Sequence, residues 1–156
     1  MTKQKPEIRA MRSEDVATVA VYESEIAKIS FPDDPVTDLA FYKKKMNGYL
    51  KDGRAAPFVA VVGTDIVGYA CVSRRQNFVT KEVYADFQSI FVDPSQRGTG
   101  LVGMLVDCVF NWCRDNNLMR VVFRTRADNE AMKTVLVRSG FKPAQIFYET
   151  KLGHSD

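Results

Sequence analysis

The residues best suited to chemistry lie in one stretch, Val92-Asp93-Pro94-Ser95-Gln96-Arg97-Gly98-Thr99-Gly100-Leu101. An apolar run stops at Asp93-Pro94, two glycines follow, and a helical pattern begins. Glycine has no Cβ, so ligand oxygens approach its backbone closely and positive φ is allowed. The free N–H groups of a first helical turn, with the helix dipole behind them, favour an anion. The chemistry this arrangement suits is the binding of a diphosphate. Taken alone, the loop is equally consistent with a glycine turn in front of a surface helix.

The run Gly98 to Gly103 also matches GxGxxG letter for letter. That pattern marks dinucleotide-binding folds when it directly follows the first strand of a βαβ unit. Arg124 and Arg126 lie about 20 residues on, where the 2′-phosphate of NADP would sit. Three features weigh against this reading. The strand ends several residues before the first glycine, the motif lies past the middle of a short chain, and too little sequence follows for a doubly wound sheet with a substrate domain. An NADP-binding oxidoreductase is therefore the second reading.

The elements that must position this loop follow from periodicity. Glu7 to Met11 reads as a strand. Ser13 is an N-cap candidate, and Val16, Val19, Ile26 and Ile29 then recur at helical spacing. Two prolines make Phe31-Pro32-Asp33-Asp34-Pro35 a loop. A second helix carries Leu39, Tyr42, Met46 and Tyr49 on one face. Phe58 to Val62 and Ile66 to Val72 form a hairpin about Gly63-Thr64-Asp65. A strand from Phe78 to Val92, a helix from Thr99 to Asn116, a strand from Arg120 to Thr125 and a helix capped by Asp128 follow, the last ending at Gly140. Gln145 to Thr150 reads as a final strand. The early strands should pair antiparallel, and the later strand–helix–strand unit in parallel. The stripe Leu101, Leu105, Val109 and Trp112 is core packing.

Bulk properties narrow the class. At 156 residues the chain suits one domain, and 46% hydrophobic residues are ordinary for a core. A net charge of +3 is too mild to argue for nucleic acid and modestly favours an anionic ligand. Three cysteines, Cys71, Cys108 and Cys113, give no paired framework and no zinc spacing, so no metal is expected. His154 sits in a polar tail. With no signal core or membrane-length run, a cytoplasmic protein follows.

The stretch from Ile90 to Val106 resembles the acetyl-CoA loop of the GNAT superfamily of N-acetyltransferases. The signature there is Arg or Gln, two residues, Gly, one residue, then Gly or Ala. Arg97-Gly98-Thr99-Gly100-Leu101-Val102 matches it except at Val102, where a small residue is usual. A second element matches downstream, where Asn129-Glu130 opens a helix ending in Gly140-Phe141. The resemblance implies an α/β (α+β) fold: a mixed, mostly antiparallel central sheet splayed at the acetyl-CoA site, with helices on both faces. It implies one N-acetyltransferase domain over 7–152, with a disordered 1–6 and a polar tail at 153–156. Pantetheine would bond backbone groups of Ile90, Phe91 and Val92. The pyrophosphate would sit on the N–H groups of Arg97, Gly98, Thr99, Gly100, Leu101 and Val102, and Asn129 would join the cofactor-binding set.

The activity so implied is acetyl transfer from acetyl-CoA to a primary amine, small-molecule or protein-borne, by direct attack in a ternary complex. A base must take the ammonium proton. Asp86, six residues before Val92 on the strand, is the first candidate, and Glu82 is the alternative. Relatives often place an acidic tyrosine four residues before the Gly-Phe pair, where this chain has Leu136. Tyr148 and Tyr84 are the substitutes. Asp33 and Asp34 would place negative charge near the incoming ammonium. No nucleic-acid or membrane partner is expected, and relatives often form homodimers. A domain that binds acyl-CoA without catalysis is a third reading.

Overall fold

A computed structural model describes residues 4–153 of the chain, so His154 lies outside the described residues. Five strands form one sheet in sequence order: β1 (Glu7–Ala10), β2 (Ala55–Val62), β3 (Asp65–Gln76), β4 (Val83–Val92) and β5 (Val121–Phe123). The first four pair antiparallel, and only β4 and β5 run parallel. That mix is not a doubly wound nucleotide-binding sheet. The β2–β3 turn is the expected tight hairpin, closing Val62 against Asp65 through Gly63 at φ 62°.

Alternation along the strands divides the core between two faces. Val59, Tyr69 and Cys71 point toward α1 (Val16–Ser30) and α2 (Leu39–Lys51), where Val19 and Met46 are fully buried. Ala60, Ala70, Val72, Ala85 and Phe87 point toward α3 (Leu101–Asp115), whose predicted stripe Leu101, Leu105 and Val109 is buried, with Trp112 packed at its margin. A Cβ on Gly68 would stand 3.3 Å from Ala60 Cβ, Leu101 Cδ2 and Leu105 Cδ1, so glycine lets α3 sit directly on β3. Phe141, after α4 (Glu130–Arg138), packs on Phe110 and Phe123 at ring distances of 5.6 and 6.4 Å, tying α4 to this second face.

Several boundaries differ from the sequence reading. The strand expected from Phe78 begins at Val83, because Asn77 Oδ1 accepts from the N–H groups of Val79 and Thr80 and Lys81 turns at φ 63°. Ser13 does not cap α1. It opens a single 3₁₀ turn instead, and Asp15 accepts from Arg12 N–H at 2.7 Å and from the Arg9 guanidinium at 2.6 Å. The cap of α4 is Asn129, whose Oδ1 accepts from Met132 N–H, while Asp128 pairs with Arg126. The predicted last strand is absent: 145–150 is irregular and exposed, with no neighbouring strand to supply a ladder.

Candidate functional site

The sheet comes apart at β4. Ala85, Asp86 and Phe87 pair with Val121, Val122 and Phe123, and β5 then stops while β4 runs on to Val92. A bulge lies at the same place. Cys71 pairs with Ser89 and Val72 with Phe87, so Gln88 is an extra residue on β4. Beyond it, Asp93 N–H bonds Val67 O at 2.9 Å, which by alternation turns the main-chain groups of Phe91 and Ser89 toward β3. The N–H and C=O of Ile90 and Val92 therefore face the open edge. From Gln88 to Val92 that edge is about 13 Å long at the usual strand rise.

The open edge ends at the glycine loop. Asp93 Oδ1 accepts from Ser95 N–H at 2.9 Å, and hydrogen bonds from Ser95 hold the Asp93 carboxyl below its ordinary value. Gly98 at φ 77° and Gly100 at φ 83° then turn the chain into α3. A Cβ at either would meet nothing within 4 Å, so glycine is there for its dihedral and for the open space in front of it. The first bond into the helix from this side is Met104 N–H to Gly100 O, 3.3 Å. The N–H groups of Leu101, Val102 and Gly103 precede it and are the orphan donors of the helix start. Gly100 is the N-cap and has no side chain to occupy them. Arg97 lies exposed on the same loop.

At the other end of the edge stands Asp86. Its side chain is only 13% exposed, with Oδ2 paired to Arg75 Nε and Oδ1 to Arg124 Nη1, both at 3.1 Å. Arg124, the first residue past β5, thus sits at the fork. The sequence of features along β4 is a carboxylate, a bulge, an unpaired strand edge and an anion-seeking helix start.

That sequence has relatives. The sequence profile of the acetyltransferase (GNAT) family matches residues 19–141. The chain belongs to the GNAT acetyltransferase family. Solved structures share the fold. A possible acetyltransferase from Clostridium difficile 630 is 22% identical at TM-score 0.76, over 96% of this chain and 99% of that one. A predicted acetyltransferase from Clostridium acetobutylicum, solved with acetyl-CoA, is 15% identical at TM-score 0.75, over 94% and 96%. The aminoglycoside antibiotic 6′-N-acetyltransferase of Acinetobacter baumannii is 17% identical at TM-score 0.73, over 96% and 100%. None of the curated proteins compared with the sequence matches it.

Within this GNAT chain the expected residues separate into groups. Ile90 and Val92 turn their main-chain groups to the unpaired edge, Phe91 between them turns its own toward β3 and stacks its ring on Tyr22, and Arg97 to Val102 form the loop and helix start. Asn129 is at the adjoining helix start with its carbonyl oxygen already given to the cap. Asp86 is at the fork, whereas Glu82 lies before β4 in a half-exposed pair with Arg120, 3.5 Å. Tyr148 is 87% exposed, outside the fork, and Tyr84 lies under the Arg120 guanidinium. Asp33 is exposed and pairs with Lys151 at 3.5 Å, and Phe31 is 68% exposed. Arg124 pairs with Asp86 and Arg126 with Asp128.

A buried polar network beside the bulge had no sequence signal. Glu23 of α1 is 5% exposed; its Oε1 accepts from Tyr69 Oη at 2.8 Å and Ser89 Oγ at 3.0 Å, and Lys45 reaches its Oε2 at 3.5 Å. Lys45 is thereby half-buried, whereas its neighbours Lys43 and Lys44 are exposed. Tyr49 Oη donates to Gln88 Oε1 at 2.9 Å, and Gln88 Nε2 donates to Ser73 Oγ at 2.7 Å. Burial pushes the Tyr49 phenol up to about 12 and the Cys71 thiol to about 12. These bonds pin the bulge residue from the α1–α2 side. Among the described residues no group of His, Cys, Asp or Glu is arranged to hold a metal, and no helix is long and apolar enough to cross a membrane.

Proposed function

We propose that this chain moves an acetyl group from acetyl-CoA to a primary amine by direct attack in a ternary complex. The observation that carries the reading is the open edge of β4 from Gln88 to Val92, which leads into the orphan N–H groups of α3. The residues fit the group. The helix start and glycine-lined space suit a diphosphate, and the Ile90 and Val92 main chain suits the amides of a pantetheine arm. Arg97 adds a mobile positive charge beside the phosphates. Bound there, acetyl-CoA supplies an acetyl thioester.

The amine nitrogen forms the new C–N bond, the C–S bond breaks, and the thiol of CoA leaves with a proton. A main-chain N–H on the open edge stabilises the oxygen that gains charge. Asp86 is the base in this reading, with Glu82 as the alternative. Each Asp86 oxygen keeps a free lone pair beside its one ion pair, and the 67% exposed Arg124 has the freedom to move aside as a proton is accepted. Burial pushes the Cys71 and Cys113 thiols to about 12 and about 11 and raises that of the half-buried Cys108, so all three are poor nucleophiles for an acyl-cysteine route. No dedicated acid is assigned, since a thiolate is a tolerable leaving group.

Fold relatives include aminoglycoside acetyltransferases and a ribosomal-protein-alanine acetyltransferase, so both small-molecule and protein amines belong among the acceptors tested. The test is a panel of amines incubated with acetyl-CoA, scored by thiol release and by the mass of the product. Amide formation with at least one amine supports the proposal. Binding of acetyl-CoA with no transfer to any amine would leave a CoA-binding domain without catalysis. No binding would overturn both readings.

A further inference from the structure

β1 forms a free edge of the sheet. It pairs with β2 alone, and Met11 N–H bonds Pro57 O at 3.0 Å. By alternation the main-chain groups of Glu7 and Arg9 face β2, and those of Ile8 and Ala10 face outward. Ala10 O accepts from the Arg9 guanidinium at 3.1 Å, which leaves Ile8 N–H, Ile8 O and Ala10 N–H without a partner among the described residues. A groove runs along this edge on each face of the sheet. The one on the α3 face, about 540 Å³, lies between Ile8 and Phe58 of the sheet and Met104, Cys108 and Trp112 of α3, with Asp107 and Asp115 on the same flank of the helix. The one on the α1 face, about 790 Å³, is lined by Glu7, Glu14, Asp15 and Asp65 against Arg9 and Arg12. Both carry more acid than base, on a chain whose net charge is +3. Arg9 is already held by Asp15 at 2.6 Å, and no described side chain pairs with Asp107 or Asp115.

We propose that the β1 edge takes an extended, basic segment of a partner protein as an added strand. Ile8 can exchange both its hydrogen bonds with one residue of an antiparallel strand. That residue, and those two before and two after it, then share the α3 face with Ile8, and the residues between them lie on the α1 face. The spacing on the α3 face selects the occupant. Asp107 and Asp115 are eight residues apart on one helix flank, which is about 12 Å along the axis. Residues four apart in a strand are separated by about 13 Å. Two lysines or arginines placed either side of an apolar residue, in the pattern basic-x-apolar-x-basic, match that span and set the apolar side chain against Ile8 and Trp112. A second copy of this chain does not fit, since it would bring the same carboxylates against these. The charged flanks thus keep a bare edge from pairing with its own kind while leaving it open to a strand of opposite charge.

The test uses the full chain and synthetic peptides. The probe is acetyl-Thr-Lys-Thr-Val-Thr-Lys-Thr-amide. The control, acetyl-Thr-Lys-Lys-Val-Thr-Thr-Thr-amide, keeps its composition and breaks the spacing. Trp112 is the single tryptophan of the chain and lines the α3-side groove, so its emission should shift to the blue as the probe covers it. Amide exchange at Ile8 and Ala10 should slow with the probe and stay fast with the control. The double variant Asp107→Asn with Asp115→Asn should bind the probe about tenfold more weakly, within what two exposed ion pairs contribute. It should keep the wild-type circular dichroism, since both side chains are exposed. A probe N-methylated at its valine, which loses the N–H opposite Ile8, should bind no better than the control. Failure of the probe to bind at millimolar concentration would overturn the proposal. So would equal binding of probe and control, an unaffected double variant, or probe-induced changes confined to the open edge of β4.

Discussion

Replacing Gly103 by aspartate should make the protein more stable and its cofactor more weakly bound at the same time. Gly103 is the third residue of α3, exposed, and a Cβ there meets nothing within 4 Å. Aspartate in the first turn of a helix gains about 0.3–1 kcal/mol from the helix dipole, besides relieving part of glycine's helix penalty. For a domain of this size that raises Tm by roughly 1–4 °C. The same carboxylate faces the place proposed for the diphosphate. One negative charge against two at about 6 Å costs about 1.4 kcal/mol even at the dielectric of water, a tenfold loss in affinity. Gly103→Ala separates charge from bulk: it should gain stability and keep its Kd. The assay is calorimetric titration with CoA at low and high salt beside thermal melts. The tenfold loss should shrink as salt rises, because exposed charges are screened. A Gly103→Asp protein that melts higher and binds CoA as tightly as wild type would refute the placement of the phosphates at α3.

Asp86→Asn should lower kcat at least tenfold while the Kd for CoA stays unchanged, and should alter the pH–rate profile; an unaltered profile moves the assignment to Glu82. The Arg9 hydrogen bond holds the Asp15 carboxyl below its ordinary 3.8, so its stabilisation is fully present above pH 3.8 and lost as pH falls through the lower folded value. Asp15→Asn should therefore cost about 2 kcal/mol near neutrality, a difference that denaturant melts should show vanishing in acid. Cys71 and Cys113, with thiols pushed to about 12 and about 11, should resist a disulfide reagent at pH 8 until the protein unfolds, and acetyl-CoA should slow that labelling further.

What could be read in the sequence was what the chain specifies locally. The α3 stripe follows from a period of 3.6, and the loop follows from glycines whose dihedrals no other residue adopts readily. The hairpin at Gly63-Thr64 and the parallel β4–β5 pair follow from turn length and an intervening helix. The polar network was hidden because its members are distant: Glu23 meets Tyr69 and Ser89, 46 and 66 residues along the chain. Gln88 carries no mark of being a bulge, since a bulge is a count of residues opposite another strand. The segment 145–150 shows the same limit. Its composition reads as a strand, but a strand also needs a partner edge, and the structure leaves the segment irregular. Asp86 was proposed by position on its strand, but its partners Arg75 and Arg124 lie 11 and 38 residues away and carry no local mark of that pairing.

The open edge of β4 also bears on how such a protein changes over generations. A ligand held by amide hydrogens and a strand backbone is indifferent to most codons along the strand, because every residue but proline offers the same N–H. Substitutions there leave the donor in place, and in the same way Val102 at the helix start keeps its N–H although it stands where a small residue is usual. A group that works through its side chain, as Asp86 does in the proposed reading, has no such immunity. After a gene duplicates, one copy can be refitted to a new amine while the half that grips the common donor is inherited untouched.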